Sequence, residues 1–521
     1  MIDSATFPLR VAAIDVGSNA IRLVVAEFVD PGTWMELEVQ RLPIRLGHDV
    51  FQTGLLDASA MSQAVEAMVA FRRAIETHGV ARYRAVATSA VRESRNGGEF
   101  VDRIRRESGI RLETITGTEE ARLVWLAVRH RLDLRQGRWM TVDLGGGSLE
   151  VSEVSADGIH WSESHAMGTV RLLEDLGAAE GDVAAEQALM GEYVGTLRIP
   201  DHIESETLAG LAATGGNIEA LARLAGCEPD EQGVSRLPVR ALYDAVTRLG
   251  TMPVEKRMSE FALRRDRADV IHPAGLLYGR VAALSGLDEI VVPHVGVKEG
   301  VLLDLVDDMT GPGMHASRLE QQAFLGALAL GRRFQFDEPH ARHVARLAVS
   351  LFDQLEALHG LDEVDRRLLL VAAVLHDIGQ FIAYRRHHKH SLYLISNSEV
   401  PNVSPRDLQV VALVARYHRR AEPKPEHFLY GDLDPDQRER VRRLAALLRI
   451  ADALDREHLQ RVTQIDVGVE AGAVVLNVEG QGELRLEQWA LRQKARMFSS
   501  VFDRSVQFVR RASAGTGVAA G

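Results

Sequence analysis

The fold of the first half of the chain is decided by the stretch Val11-Ala-Ala-Ile-Asp15-Val-Gly17-Ser18-Asn19-Ala-Ile-Arg22-Leu-Val-Val25. It reads as an apolar strand ending near an aspartate, a Gly/Ser turn two residues later, and a second apolar strand. The same order returns in Trp139-Met-Thr-Val-Asp143-Leu-Gly145-Gly146-Gly147-Ser148-Leu-Glu150-Val151. Because the two units share one Asp-to-Gly offset, they predict two similar α/β domains that face each other.

The two glycine turns carry a prediction about ligands. Backbone N–H groups in a tight Gly/Ser turn form a concave nest that attracts anions. A dinucleotide-binding turn or a P-loop would lead into a helix, whereas both turns here lead into a strand. For one turn alone an ordinary hairpin is an equally good interpretation; the pair favours two hairpins that cradle phosphate.

Acidic side chains beside these turns point to a cation. A carboxylate about 4 Å from a phosphate oxygen is repelled by roughly 4 kcal/mol at an effective dielectric constant of 20. Oxygen ligands next to phosphate suit magnesium. We expect Asp143 and Glu150 to bind it, with Asp15 lining the same cleft.

Composition excludes several classes of protein. The 521 residues are 46% hydrophobic and 26% charged, which is the balance of a globular chain of several domains. A single cysteine, Cys227, excludes an intramolecular disulfide and any zinc site built on cysteine pairs. The net charge of −12 opposes duplex nucleic-acid binding. No apolar run reaches a membrane span and no leader peptide is evident, so no membrane association and a cytoplasmic location are expected.

Patterning along the chain predicts four parts. Alternating strand and helix signals favour α/β domains at 1–125 and 126–310, with Gly311-Pro-Gly313 as a linker. Residues 315–460 read as almost wholly helical and rich in histidine. Residues 461–521 read as two short strands, a helix to Arg511 and a disordered tail from Ala512.

The two turns resemble the phosphate motifs of the actin, sugar-kinase and heat-shock ATPase superfamily. Further segments extend the resemblance to the exopolyphosphatase and guanosine pentaphosphate phosphatase family. They are Ala87-Thr-Ser-Ala-Val-Arg92-Glu, Ile115-Thr-Gly-Thr-Glu119-Glu120-Ala-Arg122-Leu, Ala213-Thr-Gly-Gly216-Asn and Gly296-Val-Lys298-Glu299-Gly300. The resemblance implies two actin-like (ribonuclease H-like) α/β domains facing a cleft, a homodimer, and inorganic polyphosphate or guanosine pentaphosphate as substrate.

The resemblance also implies site roles. Glu120 matches the glutamate that acts as general base on water, although Thr118 as a helix cap with glutamates in the first turn gives a purely structural alternative. Phosphoryl transfer needs surrounding cations, so Arg22, Arg92 and Lys298 are expected at the phosphates, although each could be an ordinary surface charge. The phosphate cradle would consist of Gly17, Ser18, Asn19, Gly145, Gly146, Gly147 and Ser148.

The histidine-rich region predicts a second polar cluster. His340 falls on the apolar stripe of its helix while His343 points away; His376-Asp377 end another apolar run; His390 and His418 follow; and Asp452 lies on the stripe of a last helix. A core of hydrogen-bonded polar groups is the ordinary interpretation, but four converging groups without a shared partner are costly. The set resembles an HD-type phosphohydrolase domain, which implies His340, His376, Asp377 and Asp452 as ligands of a transition metal such as manganese, iron or zinc.

These expectations lead to an exopolyphosphatase that uses magnesium and Glu120 to release terminal orthophosphate. Hydrolysis of guanosine pentaphosphate at the same site is the alternative. Two other classes stay open: an actin-like kinase or nucleotide switch, which needs an adenine pocket, and an HD-type metal hydrolase whose N-terminal half only senses phosphate. Seven basic against three acidic side chains between Gln481 and Arg511 suit a polyanion track or simply a solvated helix face.

Overall fold

The computed structural model describes residues 6–176, 183–200, 203, 208–419 and 421–511. The chain divides into two compact units, Met1–His315 and Ala316–Gly521. The tail predicted to be disordered lies outside the described residues. Within the described residues, no helix combines the length and the apolar character needed to cross a bilayer.

A five-stranded sheet opens the first unit. Its strands are β1 (Leu9–Val16), β2 (Ile21–Asp30), β3 (Thr33–Leu42), β4 (Arg82–Ala87) and β5 (Leu112–Thr114). They lie in the order β3-β2-β1-β4-β5, with β1–β3 antiparallel and β4 and β5 parallel to β1. Strand β1 is buried along nearly its whole length, as expected of a central strand made of consecutive apolar residues.

A second sheet repeats this plan. Its strands are β6 (Trp139–Leu144), β7 (Leu149–Ser155), β8 (Gly158–His165), β9 (Gly210–Thr214), β10 (Ser235–Pro238) and β11 (Glu289–Val292). The order is β8-β7-β6-β9-β11-β10, so the first five positions reproduce the first sheet and β10 adds an antiparallel edge. The duplication predicted from the two Asp–Gly motifs is therefore present as two sheets of one topology.

Thirteen described helices complete the first unit. They are α1 (Val50–Thr53), α2 (Ala58–Thr77), α3 (Ser89–Glu93), α4 (Gly97–Ser108), α5 (Gly117–Arg131), α6 (Thr169–Leu176), α7 (Val183–Gly195), α8 (Gly216–Leu224), α9 (Val239–Gly250), α10 (Val254–Phe261), α11 (Arg265–Ala268), α12 (Ile271–Ser285) and α13 (Val297–Thr310).

Helices α5 and α13 lie between the two sheets. Helix α5 packs on β7 and β8, α13 packs on β1 and β4, and the two helices pack on each other. Their apolar faces share one buried core with strands of both sheets. The predicted domain boundary at residue 125 therefore falls inside helix α5. The predicted boundary at residue 310 groups helix α13 with the second sheet, although the helix packs on strands of the first.

The second unit is built on helices. They are α14 (Pro312–Arg333), α15 (Glu338–Gln354), α16 (Glu356–His359), α17 (Glu363–Leu375), a short 3-10 turn (Ile378–Phe381), α18 (His387–Ser396), α19 (Pro405–Arg416) and α20 (Pro435–Ala453). Side-chain caps start four of them, at Asp337, Asp362, Ser404 and Asp434. Gly311-Pro-Gly313 is not an extended linker, because α14 already begins at Pro312.

The chain ends in a three-stranded sheet and one helix. Strands β12 (Val462–Glu470) and β13 (Ala473–Gly480) form a hairpin, helix α21 spans Arg485–Phe502, and β14 (Ser505–Arg510) pairs parallel with β13. The prediction of one helix to Arg511 was wrong. The helix ends at Asp503, which has a φ of 52°, and Val506 and Phe508 then alternate toward the core as strand residues do.

Candidate functional site

The two glycine turns lie against each other. In each, the glycine N–H closes the turn: Gly17 donates to the Ala20 carbonyl at 3.1 Å and Gly145 donates to that of Ser148 at 3.0 Å. A Cβ atom on Gly146 would lie only 3.0 Å from Ser18 Cβ, so the two loops are in van der Waals contact. The equal hydrogen bonds give both turns one geometry.

The turns leave other amides for a ligand. Gly17 and Gly145 were expected to bind phosphate, but their N–H groups already donate to carbonyls within the turns. Among the described residues, the N–H groups of Ser18, Asn19, Gly146 and Gly147 donate to no backbone carbonyl. Four such amides, two from each loop, form the kind of nest that holds an anion.

Cross-strand pairs beside the turns differ in charge. Asp15 pairs with Arg22 across the first hairpin, and Asp143 pairs with Glu150 at the equivalent position of the second. Arg22 donates to Asp15 Oδ2 at 2.8 Å, which neutralises that carboxylate. The second hairpin instead places two buried carboxylates opposite each other, so its charge is unbalanced.

Glu120 joins this acidic pair. One oxygen each of Glu120, Asp143 and Glu150 lies within 4.8 Å of the others, and all three side chains are buried. Burial raises the pKa of Asp143 to about 6, and burial followed by the neighbouring Asp143 raises the pKa of Glu150 to about 7. Burial and then Glu150 raise the pKa of Glu120 well above its ordinary value.

These three carboxylates fit a hard divalent cation. Glu150 Oε2 is buried and has no hydrogen-bond partner, although Ser164 donates to Oε1 at 2.8 Å. Asp143 accepts one bond, from the Thr214 hydroxyl at 2.5 Å. Because oxygen ligands are what magnesium binds, the observed donor set suits that ion.

The three predicted cations lie around this group in different ways. Arg92 Nη1 is 3.5 Å from Glu120 Oε2 and donates to the Ile115 carbonyl at 2.9 Å. Lys298 lines the cleft and forms a contact with Glu299, which also accepts from the Gly296 N–H at 2.8 Å. Arg22 lines the cleft while paired with Asp15.

A cavity of about 400 Å³ opens in front of the loops. Asp15, Glu120 and Asp143 line it together with the loop residues Gly17, Ser18, Asn19, Gly145 and Gly146. Four residues expected at the phosphates or the cation do not line it: Gly147, Ser148, Glu150 and Arg92. Three arginines that the sequence analysis missed also line it: Arg41, Arg264 and Arg267. Burial lowers the pKa of Arg267 to about 10, still charged at neutral pH. The run Arg264-Arg-Asp-Arg267 is the signal that could have identified two of them.

Local structure holds Glu120 in place. Helix α5 is capped by Thr116, whose hydroxyl accepts the Glu119 N–H at 3.2 Å, and not by Thr118 as expected. Glu119 turns away from the cleft to bind Arg122 at 2.7 Å, and Arg122 binds Asp304 of α13 at 2.9 Å. The two adjacent glutamates at the start of the helix therefore differ: Glu119 belongs to an ion network with Arg122, and Glu120 lines the cleft.

The second unit brings the predicted polar residues together at helix ends. His340, His376 and Asp452 each offer an atom within 4.8 Å of the others. The Nε2 atoms of His340 and His376 are buried without a hydrogen-bond partner, and each lies 3.9 Å from Asp452 Oδ1. Asp377 Oδ2 is 3.8 Å from His376 Nε2.

Outer hydrogen bonds orient these ligand atoms. His340 Nδ1 is 2.8 Å from Asp455 Oδ2 and His376 Nδ1 is 2.7 Å from the Ala373 carbonyl. Each ring therefore carries its proton on Nδ1 and directs an Nε2 lone pair inward, which is the usual arrangement of metal-binding histidines. His343 is also buried, against the expectation that it points to solvent, and contacts Arg346. Burial with neighbouring cations lowers the pKa of His343.

Family models match most of the chain. The Ppx/GppA phosphatase family model matches residues 25–309, and the model of Ppx/GppA phosphatase, domain III, matches residues 325–494.

Solved structures match the chain with similar coverage. An exopolyphosphatase from Cytophaga hutchinsonii is 25% identical, with 57% of this chain and 98% of that one covered and a TM-score of 0.54. A Ppx/GppA family member from Aquifex aeolicus is 27% identical, with 57% and 97% covered and a TM-score of 0.49. An exopolyphosphatase-like protein is 26% identical, with 57% and 97% covered and a TM-score of 0.50.

Two duplicated α/β sheets whose glycine turns meet beside buried carboxylates, in a chain that a phosphatase family model matches, identify a phosphatase, which is a hydrolase. The chain belongs to the Ppx/GppA phosphatase family.

Proposed function

We propose that the protein is an exopolyphosphatase, which releases orthophosphate from the end of an inorganic polyphosphate chain. The observation that carries the proposal is the placement of buried Glu120 on the same cavity as Ser18, Asn19 and Gly146, three turn residues whose amides donate to no backbone carbonyl. Amides and cations would hold the terminal phosphates, and the carboxylate would deprotonate the attacking water. Positioning and charge neutralisation are what phosphoryl transfer chiefly requires.

Glu120 suits a general base only in its ionised form. Its raised pKa comes from burial and from Glu150, so charge balance at the acidic pair controls its protonation. A magnesium ion held by Asp143 and Glu150 would supply that balance and neutralise phosphate charge. Arg92, 3.5 Å from Glu120, would favour the ionised carboxylate further.

The cavity lining supports polyphosphate over a base-bearing substrate. Among the described lining residues there is no Phe, Tyr or Trp on which a guanine or adenine ring could stack. Five cationic side chains line it instead: Arg22, Arg41, Arg264, Arg267 and Lys298. A polyanion without a base is the ligand that such a lining fits best. Guanosine pentaphosphate at the same centre is the alternative, since it also presents a terminal phosphoanhydride.

The second unit is, on this proposal, an HD-type domain that binds one metal through His340, His376, Asp377 and Asp452. The inward Nε2 lone pairs of the two histidines support it. The division into parts 1–125, 126–310, 315–460 and 461–521 is retained as a proposal, with α13 assigned to the first sheet.

The substitution Glu120→Gln tests the catalytic role. We expect phosphate release from long-chain polyphosphate to fall by about 10²–10⁴-fold, the usual contribution of a general base, with folding unchanged. Glu107→Gln removes an exposed carboxylate of helix α4 in the same unit and should retain full activity. Wild-type rates in Glu120→Gln would contradict the proposal.

Substrate choice and metal need separate measurements. The ratio of kcat/KM on polyphosphate to that on guanosine pentaphosphate should exceed one, and a ratio below one would assign the alternative. EDTA should abolish phosphate release, and magnesium should restore it.

A further inference from the structure

Three side chains of the second unit form a donor group beside the one already described. Asp377 Oδ1 lies 3.1 Å from His387 Nε2 and 3.4 Å from His418 Nε2, and 3.4 Å separates the two Nε2 atoms. Donors bonded to one ion at about 2.1 Å, at octahedral to tetrahedral angles, lie about 3.0–3.4 Å apart. The three atoms therefore have the spacing of ligands of a single metal ion. His390 of this helix was the histidine predicted from the sequence, but His387 is the buried one.

Hydrogen bonds fix the ring orientation of both histidines. His387 Nδ1 lies 3.0 Å from the Tyr384 carbonyl and His418 Nδ1 lies 2.6 Å from the Ala415 carbonyl. A carbonyl only accepts, so both Nδ1 atoms carry the proton. Arg419 Nη1 also lies near His387 Nδ1, but at 3.5 Å it is farther away than the Tyr384 carbonyl at 3.0 Å. Two Nε2 lone pairs and a carboxylate oxygen then face each other, an arrangement that a metal cation between them would stabilise.

Asp377 connects the two donor groups. Its Oδ1 belongs to the group of His387 and His418, while its Oδ2 lies 3.8 Å from His376 Nε2 in the first group. One carboxylate spanning two ions about 3.5–4 Å apart is the arrangement of two-metal hydrolases. We propose that the second unit contains a two-metal centre, with one ion on His340, His376 and Asp452, a second on His387 and His418, and Asp377 bridging them.

A cavity of about 600 Å³ opens onto this centre. Its lining includes the donors Asp377, His387, His418 and Asp452. Five cationic side chains line it as well, Arg419, Arg449, Arg456, Lys494 and Arg496, against three acids in all, Asp377, Asp452 and Glu422. Lys494 contacts Asp452 Oδ2 and leaves Oδ1 facing the histidines. Among the described residues, Arg419, Arg456 and Arg496 form no ion pair. A local excess of cations in a chain of net charge −12 points to an anionic substrate.

Aromatic side chains distinguish this cavity from the one in the first unit. Trp489 and Tyr384 line it, with 57% and 65% of their surface exposed. Exposed rings beside a cationic pocket are suited to stack on a base while the arginines hold phosphate. The substrate class inferred for this centre is a nucleotide whose terminal phosphate is multiply charged.

The reaction is a hydrolysis of the terminal phosphate. The oxygen of one water bonds to the terminal phosphorus, and the bond from that phosphorus to the bridging oxygen breaks. One water proton ends on the leaving oxygen, so the products are the shortened nucleotide or nucleoside and orthophosphate. The two ions would supply water activation and charge neutralisation.

Manganese binding to the full-length chain tests the metal proposal. After removal of endogenous metal, in an Asp143→Asn/Glu150→Gln background that removes the carboxylates of the other cleft, titration should load two Mn²⁺ per chain. Their electron paramagnetic resonance spectrum should show exchange coupling. His387→Gln together with His418→Gln should bind one ion and give an uncoupled six-line spectrum. His390→Ala, on the same helix, is the control and should keep two coupled ions.

Other outcomes would overturn the proposal. One ion per chain before the glutamine substitutions would show that a shared proton, and not a metal, separates Asp377 from the histidines. A coupled spectrum that survives both substitutions would place the second ion elsewhere. If the double variant does not fold, as circular dichroism would show, His418→Gln alone must still remove the coupling.

Nucleotide turnover tests the substrate class. Each nucleoside 5′-mono- and 5′-diphosphate is assayed with Mn²⁺ in a Glu120→Gln background, which silences the other cleft. We expect phosphate release that falls at least 100-fold in Arg496→Ala/Arg456→Ala, and a KM that rises about tenfold in Trp489→Ala, because base stacking contributes 1–3 kcal/mol. No release from any nucleotide, or release indifferent to these substitutions, would reject the substrate assignment.

Discussion

Asp304 illustrates how one side chain outside the cleft controls a side chain inside it. It accepts from Arg122 at 2.9 Å and from Arg84 at 3.0 Å, and Arg122 in turn holds Glu119, the neighbour of Glu120. Burial alone would raise the pKa of Asp304, but Arg122 and Arg84 lower it to about 2. These ion pairs join helix α13 to the start of helix α5, and they therefore fix the direction in which the Glu120 side chain projects from α5.

Asp304→Asn should therefore destabilise the first unit in a pH-dependent way. A carboxyl whose folded pKa is about 2 and whose ordinary value is 3.8 contributes stability above pH 3.8, and this is lost as pH falls toward 2. The difference in free energy of unfolding between wild type and variant should be about 1 kcal/mol smaller at pH 3 than at pH 7. Tryptophan fluorescence in urea reports it, since four of the five tryptophans lie in the first unit. A pH-independent difference would contradict the ion-network account.

Site residues that stand in a short local motif were predictable from the sequence, and those without such a motif were not. Glu120, Asp143 and Glu150 stand in short motifs and meet in space. Asp304 could not be found in this way, because its partner Arg122 is 182 residues distant and neither sits in a special pattern. His387 was missed for a smaller reason: the start of α18 fixes which histidine faces inward, and a helix start is poorly marked in a run of His and Arg.

The loop Gly145–Ser148 depends on a neighbouring segment for its shape. Helix α6 begins behind it, with the Thr169 and Val170 N–H groups donating to the Gly145 and Gly146 carbonyls at 3.1 and 2.8 Å. Gly168 precedes that helix, and a Cβ there would lie 2.3 Å from the Gly146 backbone. Only glycine permits this approach, so helix α6, about 20 residues later in the chain, supports the second glycine turn from behind.

Gly168→Ala should displace the turn and lower activity more than stability. A methyl group forced into a packed backbone contact costs about 1–3 kcal/mol, while a displacement of about 1 Å at a reacting group can cost 10²-fold in rate. We expect kcat/KM on polyphosphate to fall at least tenfold with the fold retained, as circular dichroism would show. Gly98→Ala is the matched control, since no atom lies within 4 Å of its added Cβ, and it should be neutral. Equal activity of both variants would show that the turn tolerates movement.

Elements with their own periodicity were predictable, and elements defined by distant partners were not. Both hairpins follow from strand alternation around a glycine turn. The position of α13 does not, because its apolar face gives no indication of which sheet it will cover. Strand β14 was read as helix since its pairing with β13 spans about 30 residues, and the alternation of Val506 and Phe508 is too short to outweigh a preceding helix.

At the scale of the whole molecule, the described residues supply donor sets of two chemical kinds, one kind in each unit. Among the described residues, the donor set of the first unit consists of three carboxylates, which suits magnesium. The donor sets of the second unit contain five imidazoles with two carboxylates, which suits a transition metal. Each group lies on its own cavity within its own unit. Two donor sets of unlike hardness are expected to bind different ions and to serve separate reactions.

Separate reactions imply that damage to one centre spares the other. The double substitution His376→Ala/Asp377→Ala removes ligands from both proposed manganese positions, and phosphate release from polyphosphate in magnesium should stay within about twofold of wild type. The physical reason is that the proposed base, turns and cations of polyphosphate cleavage all belong to the first unit. The control for folding is the urea unfolding curve of the first unit, followed by tryptophan fluorescence, which should match that of the wild type. Loss of polyphosphate cleavage in this folded variant would mean that the histidine centre performs the hydrolysis and that the first unit only binds phosphate.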